Sequence, residues 1–338
     1  MRDNHTSRRE FIGQAVASVS VAALAGQVVA QASSASATGL PTRALGKTGA
    51  RVSIIGVGGG HGQAMPDQAV YTRFAHTAVD EGITFFDNAW DYGMGVAEEL
   101  MGKGLADGGY RKKVFLMTKN CGRDYKESMM SLEDSLRRLQ TDHVDLWQHH
   151  EINYDNDPDW IFERGAMKAA LEARQQGKVR FIGFTGHKDP HIQLNMLSKP
   201  FEWDTCMVPI NVADFHFRSF QKNVVPVCVK RNIGVIGFKG LGGGSGMLVG
   251  KADLTVEECL RYSLSQPVSV QVVGMTSLEQ LKQNIAIARN FKPMDDAEQT
   301  KLLARVKEIA GDGRYEGFKT QLLYDGPYHR KQHGFPVE

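Results

Sequence analysis

From Leu40 onward, short apolar runs without polar alternation are each followed by a longer segment with apolar residues at helical spacing. "VSIIGVG" precedes a helix-like stretch from Gln68 to Glu81, and "GITFFD" precedes "VAEELMGKGLA". "KVFLMTK" is followed by "SMMSLEDSLRRLQ", and "HVDLWQHH" by "WIFERGAMKAALEARQQG". "VRFIGFTG", "TCMVPIN", "IGVIGFKG" and "VSVQVVG" each lead into a further helical segment. Strands apolar on both faces are those of a parallel sheet covered by helices. Eight such units in about 250 residues predict a closed (β/α)8 barrel. An open doubly wound sheet would need a glycine-rich turn opening a helix after its first strand. The glycines of "GVGGGHG" run instead into Met65-Pro66, so they read as a turn at the barrel rim. A last helix-like segment and a polar tail are expected from Asp295 onward.

The first forty residues follow another pattern. Arg8 and Arg9 in "HTSRREFIG" precede an uncharged run from Phe11 to about Ala30, and small-residue cleavage sites follow at Ala32 and Ala37. Ser-Arg-Arg-x-Phe-Ile resembles the twin-arginine export motif. Residues 1–37 are thus expected to be a signal peptide read by the twin-arginine machinery, with 40–338 forming a single barrel domain that is periplasmic or extracellular. The run is too weakly apolar for a stable membrane span in the mature protein.

Composition narrows the partners. The 338 residues are 42% hydrophobic and 23% charged with a formal net charge of +2, and acidic and basic residues are mixed throughout. This excludes nucleic acid as the main partner. Cys121, Cys206, Cys228 and Cys259 are widely spaced without a C-x-x-C, which reads as buried thiols, neither a zinc ligand set nor a disulfide framework.

In a (β/α)8 barrel the chemistry sits at the C-terminal ends of the strands. Those ends carry Asp87 and Tyr92 after the second strand, Lys119 on the third, and His149 and His150 on the fourth. A phenol titrates near ~10 when unperturbed. A nearby ammonium is expected to lower that value and make Tyr92 a usable acid. Asp87 would hold Lys119 charged and aimed, and a histidine would orient a substrate carbonyl. Together these are the acid half of a carbonyl reduction. No side chain supplies a hydride, so a nicotinamide cofactor is implied.

At these residues the chain resembles the aldo-keto reductases. "FFDNAWDYGMGVAEELMGKGL" is similar to the family's Asp…Tyr-Gly…Glu signature, and "VFLMTK" to the strand carrying its lysine. "TRALGKTGARVSIIGVG" is similar to its N-terminal β-hairpin and first strand. The resemblance implies the catalytic tetrad Asp87, Tyr92, Lys119 and His150, with His150 chosen over His149 by its distance from Asp145. It also implies NADP(H), with NAD(H) admitted, extended across the barrel mouth. "GFKGLGGGSGML" resembles the pyrophosphate loop, placing Lys239, Leu241 and Gly243 on the cofactor and Phe238 against the nicotinamide. Gly58 and Asp87 join this set from the first two strands. "VGMTSLEQLKQN" places Thr276, Gln280 and Asn284 at the adenosine end. Three features depart from the family. Thr185-Gly186, with His187 next, stands where a Ser-Asn pair holds the carboxamide. Asn211 replaces a glutamine. Thr276 and Gln283 stand where a basic residue and a glutamate are usual.

A small carbonyl or alcohol is the expected substrate. The polar rim expected from His61, Asn88, Asp91, His149, Glu151, Asn153 and His187 would suit a sugar. Two other classes remain open on the sequence. The histidines with Glu151, including His216, could serve a metal-dependent hydrolase or lyase. A non-catalytic nucleotide-binding module is the other. The site read from the tetrad contains no metal.

Overall fold

The computed structural model describes residues 39–244 and 246–337. The expected export signal lies outside them. Two short strands, β1 (Thr42–Ala44) and β2 (Arg51–Ser53), form an antiparallel hairpin. Eight parallel strands then close into a barrel. They are β3 (Ile55–Gly58), β4 (Phe85–Asp87), β5 (Phe115–Asn120), β6 (Val144–His149), β7 (Val179–Thr185), β8 (Thr205–Pro209), β9 (Gly234–Phe238) and β10 (Val270–Gly274). β10 pairs with both β9 and β3, which closes the ring. The eight expected strand-then-helix units are all present.

Successive strand side chains point to opposite faces, and the two faces bury different partners. Phe85, Phe115, Met117, Leu146, Met207, Ile236 and Val270 fill the lumen, with Phe115 stacked between Phe85 and Phe181. Phe86, Leu116, Trp147 and Ile182 face outward into the helix layer. The hairpin plugs the barrel floor with Leu45 and Val52. Arg43 fixes it there by donating to the carbonyls of Leu264 and Val268, each at 2.8 Å. Helices begin where the sequence supplies a cap: Asp67, Asp124, Asp189 and Ser277 each accept from a backbone N–H in the first turn. Among the described residues no helix is long and apolar enough to cross a membrane.

The chain after the helix Asp296–Ala310 was expected to be a polar tail, and the structure corrects this. The tail returns to the barrel mouth and is anchored there by a buried ionic cluster. Lys319 donates to Asp214 at 2.7 Å, Glu316 at 2.9 Å and the Phe217 carbonyl at 2.7 Å. All three charged side chains are inaccessible to solvent. Lys319→Met should therefore destabilise the fold by about 3–5 kcal/mol, because two buried carboxylates lose their counter-charge. Urea unfolding checks this, and an unchanged midpoint would show that the anchor is energetically idle.

Candidate active site

The alternation that packs the lumen also builds the site. Phe85 and Asp87 share the inward face of β4, and Phe115, Met117 and Lys119 that of β5. The last inward position on each strand is thus charged, above an apolar floor. Lys119 Nζ lies 2.5 Å from Asp87 Oδ1, 2.7 Å from the Asn88 carbonyl and 3.4 Å from the Tyr92 hydroxyl. The Tyr92 and His150 rings meet edge to face, with centroids 5.5 Å apart. All four residues of the expected tetrad converge at one point.

The loop that carries Tyr92 is braced from behind. Its Trp90 indole donates to Asp134 at 3.2 Å, and Arg138 donates to the Trp90 carbonyl at 2.9 Å. Gly93 follows with φ +57°, a left-handed turn suited to glycine, and leads into the helix Val96–Ala106. His150 is set by its backbone N–H, which donates to the Asn120 carbonyl at 2.8 Å.

The electrostatics reverse one expectation. Burial, with Asp87, Asp91 and Glu151 close by, raises the Tyr92 phenol well above its ordinary value. The Lys119 ammonium, 3.4 Å from the phenol and already engaged by Asp87, does not offset this rise. Tyr92 is therefore a protonated phenol facing the cavity. Burial, helped by Asp91, pushes the nearby Glu151 up to about 8. That makes Glu151 a neutral carboxylic acid at pH 7, able to donate a hydrogen bond.

A cavity of about 590 Å³ spans the barrel mouth, a size suited to a small-molecule or cofactor site. Asp87, Tyr92, Lys119 and His150 line one part of it. Gly58, Thr185, Phe238, Lys239, Leu241, Gly243, Thr276, Gln280 and Asn284 line the rest, together with His61, His187 and Tyr324. This lining fits an extended dinucleotide. Met207 and Phe238 give flat apolar walls beside Tyr92 and Lys119. Gly243, Gly244 and Gly246 bring bare backbone to the cavity at φ +71°, +50° and +82°. The helix Leu278–Arg289 begins next to Thr276, which suits an anion at that end.

Asn211 is a correction. It does not line the cavity, because its amide is consumed inside the protein. It donates to the Lys239 carbonyl and to Glu316, each at 3.2 Å, and accepts from the N–H groups of Ala213 and Asp214. The expected rim also shrinks. Asn88 faces outward and donates to the Ala97 carbonyl at 2.9 Å. His149 faces outward against Trp203, and burial pushes it down to about 3, so it is neutral packing. His216 bonds to the Leu303 carbonyl and lies off the cavity.

Sequence reading missed the tail. Tyr324 accepts from the Gly244 N–H at 3.2 Å, and the Gly326 N–H donates to Glu151 at 2.9 Å. Asp325, buried, accepts from Tyr154 at 2.8 Å and Lys188 at 2.9 Å, and its other oxygen lies 3.3 Å from His187. The tail so forms a wall of the cavity. The turn signal Asp325-Gly326-Pro327, flanked by Tyr324, Tyr328 and His329, was the available cue in "LLYDGPYHR". The four cysteines are free and buried, as expected. Cys121 stands with Asp91, His150 and His329, with one ligand-type atom of each within 4.8 Å of the others.

A sequence model of the Aldo/keto reductase family matches residues 54–255. The chain belongs to the aldo-keto reductase family. An L-galactose dehydrogenase of Arabidopsis thaliana is 28% identical, the match covering 80% of this chain and 95% of that protein. A Schizosaccharomyces pombe protein named aldo-keto reductase yakc [NADP(+)] is 29% identical over 61% of this chain and 62% of its own length. Among solved structures, the holo form of an aldo-keto reductase from Bacillus halodurans superposes with a TM-score of 0.65 at 22% identity, covering 81% of this chain and 99% of that one. That likeness shows the shared barrel. Membership makes this aldo-keto reductase an NAD(P)-dependent oxidoreductase, which sets aside the hydrolase, lyase and non-catalytic readings.

Proposed function

We propose that this aldo-keto reductase is an exported enzyme interconverting a carbonyl and an alcohol on a sugar-like substrate, with Tyr92 as the general acid/base. The observation that carries the reading is the convergence of Tyr92, Lys119, Asp87 and His150 at one end of the cavity. The nicotinamide cofactor, when bound, supplies or accepts the hydride. Tyr92 gives its phenolic proton to the substrate oxygen in reduction and takes it back in oxidation. Lys119, held by Asp87, stabilises the phenolate that forms at this step. His150 orients the substrate oxygen, and the braced loop holds Tyr92 within reach of it. Met207 and Phe238 add apolar surface to the lining of this cavity.

A hydroxylated substrate is supported by the polar groups facing the cavity, namely Glu151, His187, His61 and Tyr324. The name of the Arabidopsis relative, an L-galactose dehydrogenase, supports the same class. NADP(H) is the proposed preferred cofactor, on the family pattern and the name of the S. pombe relative. Thr276, Gln280, Gln283 and Asn284 are uncharged, so NAD(H) is also admitted. We place the mature unit at residues 40–338, outside the cytoplasm, after removal of residues 1–37. Free nicotinamide nucleotide is scarce there, so the cofactor would be loaded before export and retained through oxidation of one hydroxylated compound and reduction of another.

Incubating the mature protein with NADP or NAD and a panel of aldoses and polyols tests the substrate class. Reduced nicotinamide should accumulate with at least one member. Turnover confined to simple aliphatic or aromatic carbonyls would overturn the sugar reading. Dissociation of bound nucleotide within seconds would overturn retention.

A further inference from the structure

Behind the face that His150 turns to the cavity lies a second constellation that the redox reading leaves unused. Asp91 comes from the loop after β4, Cys121 from the turn after β5, His150 from the end of β6, and His329 from the helix Pro327–Gln332. His150 Nδ1 lies 3.4 Å from Cys121 Sγ and 3.1 Å from Asp91 Oδ1. Asp91 Oδ2 lies 3.9 Å from His329 Nε2. Tetrahedral ligands about one ion stand at separations of this order. A second observation points to a missing partner. His329 is wholly buried, yet neither of its ring nitrogens has a hydrogen-bond partner. Buried polar atoms are rarely left so, and His329 Nε2 lies 3.9 Å from the Asp91 carboxylate, within the cluster.

We propose that Asp91, Cys121, His150 and His329 bind one divalent transition-metal ion, of which zinc is the best match. Two imidazoles, a thiolate and a carboxylate are the donor set of a borderline-soft ion, whereas magnesium and calcium take oxygen ligands. Cys121 binds as the thiolate and its proton leaves to solvent. All four positions are filled by protein, so this is a closed structural site and not a hydrolytic one. Its first consequence is mechanical. The ion ties the C-terminal helix to three loops of the barrel mouth and so locks the tail wall of the cavity. Its second is electronic. With Nδ1 of His150 on the ion, the proton of the neutral imidazole sits on Nε2, which is then a donor available to a substrate oxygen. The proposal rests on the ligand geometry and does not depend on which substrate or nucleotide the enzyme uses.

Full-length protein, stripped with a chelator and dialysed against zinc sulfate, should carry one zinc per chain by mass spectrometry of the elements. Cobalt(II) in place of zinc should give the tetrahedral ligand-field bands together with an intense thiolate-to-cobalt charge-transfer band. Cys121→Ser should lose the charge-transfer band, and His329→Gln should lose stoichiometric zinc. Circular dichroism confirms that each variant is folded. The wild-type cobalt spectrum stands alone should either variant fail to fold. Wild-type protein that holds no zinc after dialysis overturns the proposal. So do variants that retain it as tightly as wild type, or bound cobalt without thiolate charge transfer.

Discussion

Tyr92→Phe should lower turnover by about 10²- to 10⁴-fold, the usual contribution of a positioned acid, while nucleotide binding stays near that of wild type. The phenol oxygen lies 3.4 Å from the ammonium of Lys119, and its ring meets that of His150 edge to face at 5.5 Å. Removing its oxygen takes away the proton that the proposed mechanism carries to and from the substrate but leaves the ring packed over Gly60. Steady-state kinetics with fluorescence titration of the nucleotide separate the two effects. A variant that turns over like wild type would remove Tyr92 from the chemistry. One that is folded but no longer binds nucleotide would recast it as a cofactor-holding residue.

Lys119→Met should have a wider effect, because it acts on chemistry and stability together. The ammonium and Asp87 are both buried, 2.5 Å apart, and the Asn88 carbonyl takes a further bond. Losing the cation strands a carboxylate at the top of the lumen, which costs about 3–5 kcal/mol when one partner of a buried pair is removed. It also removes the charge that, in the proposed mechanism, stabilises the Tyr92 phenolate, so activity should fall by about 10²-fold or more. Lys119→Met/Asp87→Leu should recover much of the stability and none of the activity, since the pair is replaced by apolar volume. Recovery of both would mean that the ion pair is only structural.

The strand ends were readable because a continuous apolar run stops at a charged or polar residue there and the helical pattern resumes a few residues later. Asp87 and Lys119 were legible on that ground, whereas His150 was told from His149 only by the family resemblance. Side-chain direction was less so. His149 and Asn88 sit beside inward residues, and a shift of one position sends a strand side chain into the helix layer. Asn211 failed for a different reason. Its amide is satisfied partly by Glu316, which arrives from the tail, and nothing local in "MVPIN" announces that. The grouping of Cys121 with His329 was hidden in the same way, since the two residues are far apart in the sequence and belong to no spaced motif. The direction of the Tyr92 shift is set first by burial and then by Asp87, Asp91 and Glu151 gathering around the phenol, which no local stretch of sequence shows.

The proposed activity consists of one event, transfer of hydride between a nicotinamide and a carbonyl carbon beside Tyr92. Single-turnover reaction of the protein with NADPH or NADH carrying deuterium at C4, in the presence of a hydroxylated carbonyl compound, measures it directly by mass spectrometry of the product. The account predicts deuterium on the former carbonyl carbon with wild type, and its loss with Tyr92→Phe although nucleotide remains bound. Bound nucleotide with no deuterium in product across the carbonyl panel would contradict it.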